Sequence, residues 1–481
     1  MAAFYKLSDK YILRGWDKLP YAIVDDTTKA PQFLTQDQMR VLSRCNGEWD
    51  FDSILTLDED RECVKKFISE GLIEQCREGE GISPRQEYLF YPNRYVDFVH
   101  FGITGKCNYK CKHCFMSAPE AKLGELSLAS IMDIIKQLDE CGIMEVLLTG
   151  GEPLIRPDFP EIVKEISRRG LAIRQLYTNG ALLNDKVLDC LQENGHNPTV
   201  IMSFDGVGWH DWLRGVPGAE KAVNDAFLLC KRRGVNTHSQ VIFHRNNLHT
   251  MRETVNYLAS VGCGSVRFGI VNEAGEWLKN KENNTVSIQE YMKAALDYIP
   301  YYYEDGMPIN IIIGGLFAAS PRDPDSYSLV PVKHDAGNPK KLLFTCSRHK
   351  LQILPNGRVS VCENLNDEFL GYPPIVTDIP GQETMPLREI LSSDSDYMRL
   401  MTKKQQEFLE ASPECAECKY LSFCGGGCRA LSFKEYGSVL RKDTDTCNFF
   451  RNGWLDMVIE TLRRVRPHVK PKLPNDNLLQ L

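Results

Sequence analysis

The sequence predicts an α/β fold, and three observations carry that reading. Strand-like apolar segments alternate with amphipathic helical ones across residues 96–320. A shorter, different pattern precedes them. Beyond residue 321 the periodicity weakens, and prolines, glycines and clustered cysteines gather. The chain has 481 residues, of which 43% are hydrophobic and 25% charged. That balance excludes disordered, collagen-like and disulfide-dense small scaffolds. The length suggests roughly two to four domains with a sizeable core.

In the central region the strand candidates are Phe98–Ile103, Glu145–Thr149, Ala172–Thr178, Thr199–Phe204, His238–Phe243 and Ser265–Val271. Helical stretches lie between them at Ser127–Cys141, Phe159–Arg169, Asp185–Asn194, Glu220–Arg233 and Thr250–Val261. Alternation at this spacing marks parallel βαβ units. Six strands suffice for a partial (β/α)6 TIM-like barrel, and ligands of such folds bind at the carboxyl ends of the strands.

Residues 1–95 predict a separate domain. Tyr11-Ile12-Leu13 and Tyr21-Ala22-Ile23-Val24 read as strands. Thr35 fits a helix N-cap ahead of Met39, Val41 and Leu42, and Cys45-Asn46-Gly47 ends that helix. A second helix is expected over Glu59–Glu70, stopped by Gly71, with Leu72-Ile73-Glu74 as a closing strand. This order suggests a winged-helix-like module. Residues 321–470 are expected to be held by metal rather than by a core. Arg463 to Lys472 reads as a solvated basic end, and 471–481 as a tail.

Lysine plus arginine is 57 and aspartate plus glutamate 64, a net charge of −7. A mildly acidic chain argues against nucleic acid as the main partner. Met1 to Lys10 carries no apolar core of a signal peptide. The longest apolar stretch, Ile309 to Ala319, is broken by Asn310, Gly314 and Gly315 and is too short to span a bilayer. A cytoplasmic, reducing compartment is therefore expected, where clustered cysteines read as metal or catalytic sites before disulfides. There are 17 cysteines, an odd number that full pairing cannot use up. Cys45, Cys63, Cys76, Cys141, Cys190, Cys230 and Cys263 lie singly in apolar segments and read as small core hydrophobes.

Cys107, Cys111 and Cys114 form a C-x3-C-x2-C loop directly after the first strand candidate. Three thiolates in one short loop are one fewer than a [4Fe–4S] cluster usually takes, which leaves an iron open. Structural zinc is normally four-coordinate and closed, and no fourth cysteine lies nearby. His113 sits between two ligands and is poorly placed as another. This loop resembles the signature of the radical S-adenosylmethionine (SAM) enzyme superfamily. The resemblance extends over residues 96–320 through Gly150-Gly151-Glu152-Pro153, Ser203-Phe204-Asp205-Gly206 and His210-Asp211-x2-Arg214. It implies a [4Fe–4S] cluster on the three cysteines and SAM as cofactor. It further implies Glu152 on the SAM amino group, Ser203 on the ribose and Arg214 on the methionine carboxylate, a pairing suited to guanidinium. His113 takes the place of an aromatic residue near the adenine, and Val271 is implied to meet adenine through its backbone. The implied chemistry is one-electron cleavage of SAM to a 5′-deoxyadenosyl radical.

Cys346, Cys362, Cys415, Cys418, Cys424, Cys428 and Cys447 follow the spacing of the SPASM extension of radical SAM enzymes. That resemblance implies two auxiliary iron–sulfur clusters. The outer would be held by Cys415, Cys418, Cys424 and Cys447, the inner by Cys346, Cys362 and Cys428 with a fourth place open to His349, substrate or another residue. Zinc ribbons are the alternative for Cys415-x2-Cys418 alone.

SPASM enzymes mostly modify peptides or proteins, and residues 1–95 resemble the leader-recognition domain of ribosomal peptide maturases, which captures a peptide as an added strand. The expected function is maturation of a precursor peptide through an intrapeptide thioether or carbon–carbon crosslink. The expected partners are a leader-bearing peptide and a low-potential flavodoxin- or ferredoxin-type electron donor, with no nucleic acid or membrane. Protein-residue oxidation of the sulfatase-maturing kind is the alternative reaction. A non-enzymatic, metal-stabilised peptide-binding module is the alternative of another class; it would need the cysteines but not Glu152, Ser203, Asp205 and Arg214 at strand ends. No catalytic acid or base is assigned, and Tyr301, Tyr302, Tyr303, Glu273 and Glu276 are read as packing or surface.

Overall fold

The computed structural model describes residues 3–54, 57–273, 275–333, 336–344, 350–362, 365 and 371–472. Cys346, Ser347, Arg348 and His349, and residues 473–481 of the expected tail, lie outside the described residues.

The N-terminal part is built from six short strands and two longer helices. β1 (Phe4–Leu7) pairs antiparallel with β5 (Ile73–Cys76). β2 (Tyr11–Asp17), β3 (Leu19–Asp25) and β4 (Pro31–Phe33) form an antiparallel meander, and β6 (Leu89–Arg94) runs parallel beside β2. The helix Gln36–Leu42 starts at Thr35 in a capping box with Gln38, so two orphan amides are satisfied reciprocally. With the helix Asp58–Ser69 it buries Met39, Val41, Leu42, Val64 and Phe67 against Leu13 and Ile23 of the sheet. The opposite face packs on the central domain. Trp16 stacks on Tyr91 at 5.8 Å, and Gly142 lies so close that a Cβ there would stand 2.5 Å from the Tyr91 ring.

The central sheet contains the six expected strands with ends shifted by one or two residues at most: β7 (Phe98–Gly102), β8 (Glu145–Thr149), β9 (Ala172–Thr178), β10 (Thr199–Ser203), β11 (Thr237–Phe243) and β12 (Ser265–Ile270). All are parallel to their neighbours in chain order. The sheet then goes beyond six. β13 (Asn310–Ile313) adds parallel to β12 and turns back at Gly314-Gly315 into β14 (Phe317–Ser320) and β15 (Asp323–Leu329). The apolar stretch at Ile309 to Ala319 is thus a buried hairpin. On the other side β16 (Lys350–Ile353) pairs parallel with β7 and antiparallel with β17 (Val359–Ser360). The helix caps follow from sequence: Ser127 and Asn184 each accept a backbone N–H at their helix N-termini.

Residues beyond 321 depart from the expectation of a region held by metal alone. Leu343, Phe344, Leu351, Ile353, Leu387, Ile390, Leu391, Tyr397 and Phe408 share one apolar core with the barrel's Val99, Ile131, Val146 and Ile162. The local pattern is weak because these residues complete a core begun elsewhere in the chain. The basic end is not simply solvated either. Arg463 and Arg464 close the helix Trp454–Val465, whose Val458 and Leu462 are buried, and β18 (Lys470–Lys472) pairs with β15. Among the described residues no helix is long and apolar enough to cross a membrane.

Candidate active site

The Cys107–Cys114 loop leaves the carboxyl end of β7 and is gripped at each cysteine by a segment following a different strand. After β8, the Gly151 and Glu152 amides donate to the Thr104 and Lys106 carbonyls at 2.7 and 2.9 Å. After β10, the Lys110 and Lys112 amides donate to the carbonyls of Arg214 and Leu213 at 3.2 and 2.8 Å, fixing both sides of Cys111. After β12, the Glu276 amide donates to the Cys114 carbonyl at 2.9 Å, and Asn280 Nδ2 donates to the Lys112 carbonyl. Close packing explains the glycines. A Cβ on Gly150, whose φ is +147°, would stand 2.4 Å from the Thr104 carbonyl oxygen, and one on Gly151 2.1 Å from that of Lys106. What these glycines let the backbone approach is the cysteine loop itself.

Each thiol faces one N–H donor. The Tyr109 amide lies 3.4 Å from Cys107 Sγ, the Ala118 amide 3.3 Å from Cys114 Sγ, and Arg214 Nη1 3.9 Å from Cys111 Sγ. Burial pushes the Cys107 thiol up to about 12 and raises Cys111 as well. Binding a metal centre there would therefore release protons. Among the described residues no three His, Cys, Asp or Glu side chains converge tightly enough to share one metal ion. A [4Fe–4S] cluster carries its thiolates on separate irons and does not need that convergence.

Glu152 is fully buried beside the loop. Its carboxylate accepts from Thr178 Oγ1 at 2.8 Å, the Asn179 amide at 2.7 Å and the Leu154 amide at 3.1 Å. Burial outweighs these donors and pushes its pKa up to about 7. Pro153 opens the short 3-10 turn Pro153–Ile155 that Glu152 caps. Thr178 and Asn179 carried no role in the sequence; the signal was present in Thr178-Asn179-Gly180 at the end of a strand.

Asp205 and Arg214 form a buried fork, with Nε to Oδ2 at 2.7 Å and Nη2 to Oδ1 at 3.1 Å. Asp205 also accepts from the Ile242 amide at 3.1 Å, and His210 Nδ1 lies 3.0 Å from Oδ2. Burial disfavours both charges, yet each holds the other: Asp205 stays well below the usual carboxylate range and Arg214 above its own. Two nitrogens of Arg214, the residue expected to meet a methionine carboxylate, are committed to Asp205, and its Nη1 faces Cys111. Asp211 accepts the Gly218 and Glu220 amides and anchors the start of the helix Ala219–Arg233.

His113 has its Nδ1 buried without a hydrogen-bond partner, and burial pushes the imidazole down to about 3. His210 Nε2 and His244 Nε2 are likewise buried and unpartnered. Ser203 ends β10 and Val271 directly follows β12; both are half-buried. Tyr302 and Tyr303 are buried in the apolar core, and Tyr301 stacks outside under Arg252.

A second group of cysteines lies in the C-terminal part. Cys415, Cys418, Cys424 and Cys447 together line one pocket, with Tyr420, Leu421 and Phe450. Asp443 ties its parts together by accepting the Cys428 amide at 3.0 Å and Thr446 Oγ1 at 2.6 Å, while its own amide donates to Gly426. Cys362 and Cys428 pack at the margin of the same apolar core.

Residues 102–258 match the radical SAM superfamily. The chain carries a radical SAM domain over those residues. SAM and a [4Fe–4S] cluster are the cofactors of that family. Fe-coproporphyrin III synthase of Methanosarcina barkeri is 24% identical over 363 residues, 72% of this chain and 86% of its own. PqqA peptide cyclase of Gluconobacter oxydans is 24% identical over 349 residues, 71% of this chain and 87% of its own. Among solved structures, Streptococcus suis SuiB, determined with SAM and with its precursor peptide SuiA, covers 92% of this chain at a TM-score of 0.58 and 14% identity. That likeness is one of fold, and it takes in 99% of SuiB in its SAM-bound form.

Proposed function

We propose that this chain matures a ribosomally made precursor peptide by forming an intrapeptide thioether or carbon–carbon crosslink. The observation that carries the reading is the extent of the fold likeness to SuiB, a protein solved with its precursor peptide. At 92% of the chain it is too large to leave out residues 1–95. The N-terminal sheet has β4 and β6 as its edges, and an edge offers unpaired backbone to which a leader segment can add as a strand. The coproporphyrin synthase relative supports a second reading, chemistry on a porphyrin.

When bound, the first cluster and SAM supply one-electron reduction and a 5′-deoxyadenosyl radical that takes hydrogen from an unactivated carbon. The residues present fit that pair. Cys107, Cys111 and Cys114 would hold the cluster. The buried Glu152 carboxylate is matched to an ammonium, the remaining N–H of Arg214 Nη1 to a carboxylate, and the orphan Nδ1 of His113 to a polar edge of the adenine. Ser203 and Val271 stand at the ends of β10 and β12, on either side of β11, for the ribose and base. Gly150, Gly151 and Pro153 keep the loop and Glu152 in contact. Cys415, Cys418, Cys424 and Cys447 would hold an outer auxiliary cluster, and Cys362 and Cys428, with Cys346, an inner one. A flavodoxin- or ferredoxin-type protein would deliver the electron.

The test is anaerobic incubation of the full chain with dithionite, SAM and a candidate precursor peptide, read by mass spectrometry. Loss of two hydrogens from the peptide is expected. Conversion of a coproporphyrin with no change in any peptide would transfer the assignment to the second reading. Replacing Cys107, Cys111 and Cys114 by alanine is expected to abolish formation of 5′-deoxyadenosine; persistence of that product would overturn the cluster site.

A further inference from the structure

We infer that Arg214 tunes the first cluster electrostatically through Cys111, and that Asp205 holds it in place to do so. The inference rests on reading Cys107, Cys111 and Cys114 as the ligands of a [4Fe–4S] cluster.

The three thiols do not have equivalent surroundings. Cys107 and Cys114 receive backbone amides, from Tyr109 and Ala118, which are neutral donors. Cys111 faces a full positive charge, with Arg214 Nη1 3.9 Å from its sulfur. The guanidinium is almost entirely buried, so solvent screens it little. It also cannot drift. Nε and Nη2 are both committed to Asp205, and Asp205 is fixed from two directions by the Ile242 amide and His210 Nδ1. The same short helix, His210–Arg214, takes the amides on either side of Cys111 onto its last carbonyls. Gly215 permits this contact: its φ is +67°, and a Cβ there would stand 2.2 Å from the Lys110 carbonyl oxygen. Cys111, Arg214 and Asp205 are therefore one mechanical unit, anchored between β10 and β11.

Cluster potentials respond to net charge and to hydrogen bonds on the sulfurs. A cation beside one thiolate stabilises the reduced, more negative cluster. The Asp205 carboxylate opposes that effect from farther away, while keeping the cation where it is. Arg214 acts here as a positioning residue, working through Cys111.

The experiment is a redox titration of the anaerobic, cluster-reconstituted full chain, with dithionite as the one-electron reductant and EPR as the readout. The signal missing from the Cys107→Ala, Cys111→Ala, Cys114→Ala chain identifies the first cluster. Arg214→Gln is expected to lower its midpoint potential by at least a tenfold change in the reduction equilibrium, about 59 mV for one electron. The shift caused by Asp205→Asn is expected to differ between the unaltered chain and the Arg214→Gln chain, because the carboxylate acts through the guanidinium it holds. An Arg214→Gln chain with full iron and an unchanged potential overturns the inference. Should that variant fail to fold, an unchanged potential in Arg214→Met overturns it equally. Absence of iron–sulfur signals from the unaltered chain would instead overturn the cluster reading beneath it.

Discussion

Glu152 shows what single residues contribute here. Its carboxylate has three donors, but burial still pushes its pKa from 4.5 up to about 7. Between those values the folded chain keeps a proton that the unfolded chain has released. Stability of the cluster-free chain therefore falls as pH rises through that window, by on the order of 3 kcal/mol. Glu152→Gln cannot ionise, so denaturant titrations across that window are expected to show a flatter dependence than the unaltered chain. Parallel curves would mean the carboxyl is not carrying the burial cost. A nearby ammonium would relieve the same cost, which is the physical reason to expect the SAM amino group there. Motif spacing put Glu152 in the site from sequence alone. Thr178-Asn179-Gly180 stood out at a strand end, but its pairing with Glu152 was not legible, because the two come from successive strands and meet only once β8 and β9 lie side by side.

At the scale of elements, the site is a loop held by its neighbours. The Cys107–Cys114 segment has little regular structure and takes its shape from contacts with residues 151–152, 213–215 and 275–280. Gly151→Ala is expected to push the Lys106 carbonyl away, at a cost of about 1–3 kcal/mol, and to lower first-cluster iron. Iron content and the EPR signal of the reconstituted variant check this; undiminished iron would show that the loop can shift without consequence. Asp443 plays the matching part at the second group of cysteines. Asp443→Ala leaves the partly buried Cys428 amide and Thr446 hydroxyl without their acceptor, about 0.5–1.5 kcal/mol for each lost hydrogen bond. It is expected to destabilise the chain and reduce the iron bound in the C-terminal part, as seen by chemical denaturation and iron analysis. The helices between strands were legible to within a residue or two, since amphipathic periodicity and Ser or Asn caps are local signals.

For the whole molecule, the arrangement predicts three clusters. Anaerobically purified chain is expected to contain iron and sulfide for all of them, whereas zinc with little iron would count against the assignment. The N-terminal module predicts leader dependence: a precursor stripped of its leader should be modified far more slowly than the intact one, by comparison of initial rates. Equal rates would remove the peptide-docking role from residues 1–95.

Strand and helix order, the two cysteine groups and the motif residues at strand ends were all set by chain-local pattern, because alternation and spacing act over a few residues. Three matters depended on distant parts of the chain meeting. Residues beyond 321 build their core jointly with the barrel, since their apolar side chains have partners only near Val99 and Ile162. The central sheet gains β16 from about 250 residues downstream of its neighbour β7, a pairing that no local period encodes. And Arg214 turns to Asp205 and Cys111 because a buried charge seeks the nearest opposite charge and acceptor, which packing alone brings within reach.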